Sequence, residues 1–126
     1  MPLNKGLRDE ESERISNILK KLNELIYVPD FDKDKIENQM KFLGLNLETL
    51  LNFSSEELVS NLEKFHFDWE NAELFADLLI VFSDQLPEEK SNLKEKALAV
   101  YNYIQSESKT FSFEIFNKIA SVKATV

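Results

Sequence analysis

Asp30, Asp32 and Asp34 place three carboxylates at alternate positions, the spacing with which a calcium-binding loop begins. Such a loop needs glycine at its sixth position and glutamate at its twelfth, where this chain has Lys35 and Lys41. Both lysines would also weaken cation binding, because they repel a positive ion. Asp32 has a simpler interpretation as the cap of a helix, and we therefore predict no metal site.

His66 is the chain's one histidine, and there is no cysteine. A single histidine supplies neither a multi-histidine metal site nor an H-E-x-x-H pattern. Because Phe65, Phe67 and Trp69 surround it, we interpret His66 as a residue at a junction between helices. Two glycines are too few for a phosphate-binding loop. The sequence therefore predicts no catalytic residue and no cofactor.

Two tyrosines flank Asn102 near the end of a predicted helix. Tyr101 falls on the apolar stripe of that helix, whereas Tyr103 falls off it and is expected to be exposed. Tyrosine is frequent at interfaces because it combines apolar area with a hydrogen-bonding tip. We therefore place Tyr103 in a candidate partner-binding surface with Glu63 and Glu73. A partly covered surface tyrosine is the simpler alternative.

The net charge of −8 lies between residues 48 and 84, where nine acidic residues accompany one base, Lys64. Such a field repels nucleic acid and anionic lipid, so we predict neither as a partner. The bases Lys109, Lys118 and Lys123 are too few to offset it. A solvated surface that keeps the protein soluble accounts for the charge, and a docking site for a basic partner is the more specific hypothesis.

Four segments share a pattern in which phenylalanine precedes Asp or Ser, then any residue, then an acid. As a helix start, the second residue is the N-cap and the acid lies in the first turn, where the helix dipole favours it. The phenylalanine precedes the cap and is expected to pack on the fourth helical residue. The pattern predicts helices that begin at Asp32, Ser54, Asp68 and Ser112, with Ile36, Leu58, Ala72 and Phe116 as the packing partners.

Apolar residues at helical spacing predict the remaining elements, and no segment alternates as a strand would. The helix capped by Asp68 combines a stripe that includes Trp69, Phe75 and Leu79 with further apolar residues, so we expect it to be packed on most sides at the centre of the fold. The last helix bears its own apolar residues, Phe113, Phe116, Ile119 and Val122. The sequence predicts an all-α fold, a compact bundle or short solenoid of about six helices, over residues 8–27, 33–43, 54–65, 68–84, 87–105 and 112–122, with Asn46 capping a further turn.

The segments that begin at Phe67 and Phe111 lie 44 residues apart, as in a helical array. Trp69 with Ala72 and Ala76 resembles the first helix of a tetratricopeptide repeat. Those repeats run 34 residues, however, and Ala97 and Tyr101 of the next helix fall too far downstream. A tetratricopeptide-like scaffold is therefore an alternative to an unrepeated bundle.

The chain of 126 residues has the size of one domain, for which we expect residues 1–7 to be disordered. No secretory signal is visible, and the longest apolar run, residues 78–82, is far too short to cross a bilayer, so we predict a cytoplasmic protein. With no catalytic constellation, we predict a non-enzymatic helical module for protein–protein interaction or self-association. The other alternative is an enzyme that combines carboxylates, His66 and tyrosine, and a deep pocket gathering these groups would favour it.

Overall fold

The structure, a computed structural model, describes residues 3–26, 32–108 and 112–125. Within these residues it is a compact all-α bundle without strands. Short 3-10 helices cover Lys41–Leu43 and Pro87–Glu89. The seven α-helices are α1 Leu3–Ile26, α2 Lys33–Met40, α3 Leu47–Asn52, α4 Ser55–Lys64, α5 Trp69–Gln85, α6 Lys90–Glu107 and α7 Phe113–Thr125.

All four predicted helix starts are confirmed by side-chain caps. Asp32 accepts a hydrogen bond from the backbone N–H of Asp34 at 3.0 Å, and Ser112 accepts one from Ile115 at 3.2 Å. Ser54 forms a reciprocal capping box with Glu57. The Asp68 carboxylate accepts the backbone N–H of Asn71 at 2.8 Å. Phe31 and Phe111, which the pattern pairs with the first and last caps, lie outside the described residues.

Helix α3 is the short turn that the sequence predicted from Asn46, whose side chain accepts the backbone N–H of Thr49 at 2.7 Å. The turn before it ends at Gly44, which has the left-handed φ of 71° expected of a helix stop. Helix α1 is assigned from Leu3. Residues 1 and 2, for which disorder was expected together with 3–7, lie outside the described residues.

Helices α5 and α6 form an antiparallel hairpin around which the others pack. α5 contacts α1, and α1 contacts α2 in turn, whereas α4 and α7 pack against α6. The helix capped by Asp68, α5, was predicted to lie at the centre of the fold, and α6 lies at the centre together with it. The predicted core of α5 is buried, including Phe75, Ala76, Leu79 and Phe82, as is the predicted stripe of α6, which comprises Leu93, Ala97, Val100, Tyr101 and Ile104.

Two predictions about buried faces are wrong. Trp69 was expected in the buried stripe of α5, yet it is 41% exposed, because it is the first residue of the helix and its contact with Tyr103 of α6 covers only part of the ring. On α7, Phe113 and Phe116 are 75% and 54% exposed, whereas Val122 is buried as expected, Ile119 packs partly buried against the core, and Ile115 is buried as well. The face that α7 turns to the bundle is thus rotated from the one that the largest side chains suggested.

Candidate functional site: an aromatic–acidic surface where three helices meet

Trp69 and Tyr103 form a partly exposed aromatic pair. Because α5 and α6 are antiparallel, the start of α5 lies beside the end of α6. There the ring centroids of Trp69 and Tyr103 are 5.5 Å apart, with the ring planes tilted by 57°. Tyr103 is only partly exposed, because the indole covers one part of its ring, whereas a large part of the indole remains in solvent.

Two exposed carboxylates exert an electrostatic effect on Tyr103. They belong to Glu63 of α4 and to Glu107 in the last turn of α6. Burial raises the pKa of the Tyr103 phenol, and the negative charges of Glu63 and Glu107 raise it further. Within the described residues, neither carboxylate forms an ion pair. We call Glu63, Trp69, Tyr103 and Glu107 the aromatic–acidic surface.

Glu73, the third residue that the sequence placed in the binding surface, is engaged in an ion pair. It lies one turn after Trp69 on α5, and its carboxylate is 2.5 Å from the Lys118 ammonium of α7. Asp77, one turn further, is 3.0 Å from the same ammonium, and Glu114 is 3.7 Å from it. The structure therefore brings Glu63 and Tyr103 into one surface but uses the charge of Glu73 to hold α7 against α5.

Tyr101 extends this network to α6. Its buried hydroxyl donates a hydrogen bond to Asp77 at 2.5 Å. Burial raises the pKa of Tyr101 far above its ordinary value, and the hydrogen bond to Asp77 adds to the effect. For Lys118, burial alone would lower the pKa, but hydrogen bonds to Glu73 and Asp77 outweigh it and raise it. Asp77 thus accepts from two helices at once and links α5, α6 and α7.

A second polar network, which no sequence pattern indicated, joins the start of α5 to α1. The Asn71 side chain, 2% exposed, donates to the backbone oxygen of Ser12 at 2.9 Å. The Ser12 hydroxyl in turn donates to Asp68. Because these partners lie 56 and 59 residues apart, no local pattern indicates the contact. The cap of α5 therefore also fixes where α1 crosses it.

Lys96 is a further buried polar residue that sequence reasoning missed, being 5% exposed. Its ammonium donates to the side chain of Asn92 and, at 3.4 Å, to the carbonyl oxygen of Leu51 in the last turn of α3. Asn92 donates to the same carbonyl at 3.0 Å. Burial lowers the pKa of Lys96, while the charges of Glu95 and Glu89 act in the opposite direction. These donors satisfy a helix end that would otherwise lack partners.

A groove of about 460 Å³ runs between α1 and α5. Leu19 and three residues of α5, Leu74, Leu78 and Val81, form its apolar part. It does not gather the groups of the enzyme alternative, because neither His66 nor a tyrosine lines it. Among the described residues, no group of three or more acidic or histidine side chains is arranged to hold a metal ion. Asp30, of the predicted carboxylate run, lies outside them.

Comparison with protein families, with curated proteins and with solved structures found no match for this chain. No helix in the described part of the chain is both long and apolar enough to cross a membrane.

Proposed function

We propose that this chain is a non-enzymatic binding module that recognises a basic segment of another protein through the aromatic–acidic surface. The observation that carries the proposal is the exposed Trp69 ring, packed on Tyr103 and accompanied by two carboxylates without ion pairs in the described structure. Aromatic residues are enriched where proteins bind one another, and an aromatic face with nearby negative charge attracts cations.

The charge of the whole chain favours a basic partner over a second copy of itself. Each copy carries a net charge of −8, so two copies that meet at this surface would bring like charges together. A basic partner is instead attracted over a distance, which speeds association at low salt. Self-association through another face and a helical-repeat scaffold remain alternatives that this surface does not address.

An enzyme is the rival class, and the arrangement of the aromatic–acidic surface offers less for it. Acid–base catalysis needs a proton-transferring group within hydrogen-bond reach of substrate held in a sheltered site. Here the partly exposed aromatic pair faces solvent, and Tyr101 and Asp77 hydrogen-bond each other as part of a contact between helices. The same side chains are better suited to holding a partner by contact and charge.

The experiment is a comparison of proteins captured from an extract of the native host by three immobilised forms of the whole chain. These are the wild type, the double variant Glu63→Lys/Glu107→Lys, and a control in which the exposed Glu48 and Glu88 are changed to lysine. We expect the first double variant to lose proteins that the wild type and the control both retain. Glu73 is left unchanged, because a lysine there would disrupt the ion pair with Lys118.

For a protein captured in this way, binding is then measured with purified components at increasing salt. Affinity for the wild type should fall with salt, and the Glu63→Lys/Glu107→Lys variant should bind weakly with a flatter salt dependence. Equal capture by all three forms would show that the aromatic–acidic surface is only a solvated surface.

A further inference from the structure

We infer that the aromatic–acidic surface holds one arginine side chain of the partner, stacked on the exposed face of the Trp69 indole. This inference rests on the proposed function and specifies the group that is recognised. The tilt of 57° and the centroid separation of 5.5 Å mean that Trp69 and Tyr103 already contact each other. A ligand group therefore cannot enter between the rings and must lie on the outer face of the indole.

The geometry favours a flat cation for that position. A guanidinium is planar, stacks on an aromatic face and donates several hydrogen bonds in its own plane. Its edge is then directed sideways along the surface, where Glu63 and Glu107 lie near the Tyr103 phenol. An ammonium is compact and strongly hydrated, so it gains less from a single open ring.

Lys118, on the neighbouring helix α7, does not supply the cation for this position. Lys118, a base contributed by α7, is held by Glu73 and Asp77 at 2.5 and 3.0 Å. Its charge is therefore satisfied one to two turns along α5 from Trp69. Glu63 and Glu107 form no ion pair among the described residues. The surface thus combines a cation-attracting ring with two carboxylates that have no ion-pair partner in the part of the chain that the structure describes.

The test is a titration of the whole chain with blocked tripeptides, N-acetyl-Gly-Arg-Gly-amide and the same peptide with citrulline or lysine in place of arginine. Citrulline keeps the shape of arginine and removes its charge. Because Trp69 is the one tryptophan of the chain, the single indole N–H signal in a nitrogen–proton NMR spectrum reports on this surface directly. We expect a saturable shift with the arginine peptide and affinity about tenfold weaker with citrulline.

Variants assign the effect to the named residues. Glu63→Gln and Tyr103→Leu should each weaken binding of the arginine peptide by about threefold. Glu88→Gln changes an exposed glutamate in the 3-10 helix before α6, about 20 Å from Tyr103 by the rise of a helix, and should leave binding unchanged. Glu63 is exposed, so its variant keeps the test valid even if Tyr103→Leu disturbs folding, which the backbone amide signals would reveal.

Three results would overturn the arginine assignment: no saturable shift, equal affinity for citrulline, or affinity for lysine equal to or above that for arginine. These results do not bear on the capture experiment. If Glu63→Lys/Glu107→Lys loses its partner while the peptides fail to bind, the proposed binding function is supported and the arginine assignment is wrong. If the peptides bind but capture is unchanged, the arginine assignment is supported and the proposed function is wrong.

Discussion

At the scale of single residues, His66 holds a backbone conformation that favours glycine. It follows the last turn of α4 with a φ of 61°, and its N–H donates to the carbonyl of Glu63 at 3.1 Å. The N–H of Phe67 donates to Leu62, which completes the hydrogen-bond pattern of a helix stop. Residues other than glycine are disfavoured at a positive φ, because their Cβ atom comes too close to the backbone.

We expect His66→Gly to raise the free energy of unfolding by about 0.5–1 kcal/mol, since the strain removed exceeds the entropy that glycine adds to the unfolded chain. Urea unfolding followed by circular dichroism measures it. Ser60→Gly is the control, because Ser60 lies exposed within α4, where replacing serine by glycine should cost about 0.5 kcal/mol. A loss of stability at both positions would show that the His66 side chain contributes more than the strain costs.

Residue roles that depend on the local sequence were predictable, and those set by distant partners were not. Asp32, Ser54, Asp68 and Ser112 cap helices because each cap uses a backbone group two or three residues away. The burial of Lys96 depends on a carbonyl 45 residues earlier in the chain. A lysine within a helix is normally exposed, so nothing near Lys96 indicates its environment.

At the scale of elements, the start of α5 is both a cap and a contact with α1. Ser54→Ala removes a cap alone and should cost about 0.5–2 kcal/mol of unfolding free energy. Asp68→Ala removes a cap and also the acceptor for Ser12, so it should cost more than Ser54→Ala. Urea unfolding of the two variants and of Ser12→Ala provides the comparison.

The double variant Ser12→Ala/Asp68→Ala separates the two contributions to the start of α5. If Ser12 acts mainly through Asp68, the double variant should be little less stable than Asp68→Ala, with a coupling energy of at least about 0.5 kcal/mol. Additive losses would mean that the two side chains stabilise the helices independently.

The faces of α5 and α6 could be read from apolar periodicity, because both helices carry broad stripes packed along most of their length. For α7 the periodicity was ambiguous, since its apolar residues extend over two neighbouring faces. Packing against α6, and the position of Lys118 opposite Glu73, select the face that carries Ile115 and Val122. Those constraints come from other helices and are absent from the sequence of α7.

At the scale of the whole molecule, Tyr101 links stability to alkaline pH. Its pKa is raised above the ordinary value of 10.0, so the folded protein keeps the phenol proton where the unfolded chain loses it. Stability from this group is therefore complete below pH 10 and falls as the pH rises above 10, by about 1.4 kcal/mol per unit. The raised pKa of Lys118 acts in the same direction above pH 10.5, and the lowered pKa of Lys96 acts against it.

Urea unfolding between pH 8 and pH 11.5 tests this assignment with Tyr101→Phe, which removes the titrating proton and keeps the ring. The variant should be less stable at pH 8 and should show a smaller fall above pH 10. Tyr103→Phe is the comparison: the pKa of Tyr103 is raised as well, so this variant should also reduce the fall, but by less, because Tyr103 is less buried than Tyr101. An unchanged fall in Tyr101→Phe would assign the alkaline loss to other groups.

The sequence predicted only part of the candidate site, because the rest depends on how the helices pack together. Glu63 and Tyr103 were singled out by charge and by position off an apolar stripe, and both properties can be read locally. That the two lie together depends on α4 packing against α6, which no local pattern specifies. Trp69 was assigned to the buried stripe of α5 by its helical spacing from Ala72 and Phe75, and only the structure shows its exposure.

The contact between Gly44 and Phe65 has a consequence for the evolution of this chain. A Cβ added at Gly44 would lie 2.2 Å from Cζ of the Phe65 ring, and φ at Gly44 is positive as well. The ring therefore occupies the space that any other residue at position 44 would need. Related chains that carry a side chain at position 44 should have a smaller residue at position 65, so that the two positions vary together.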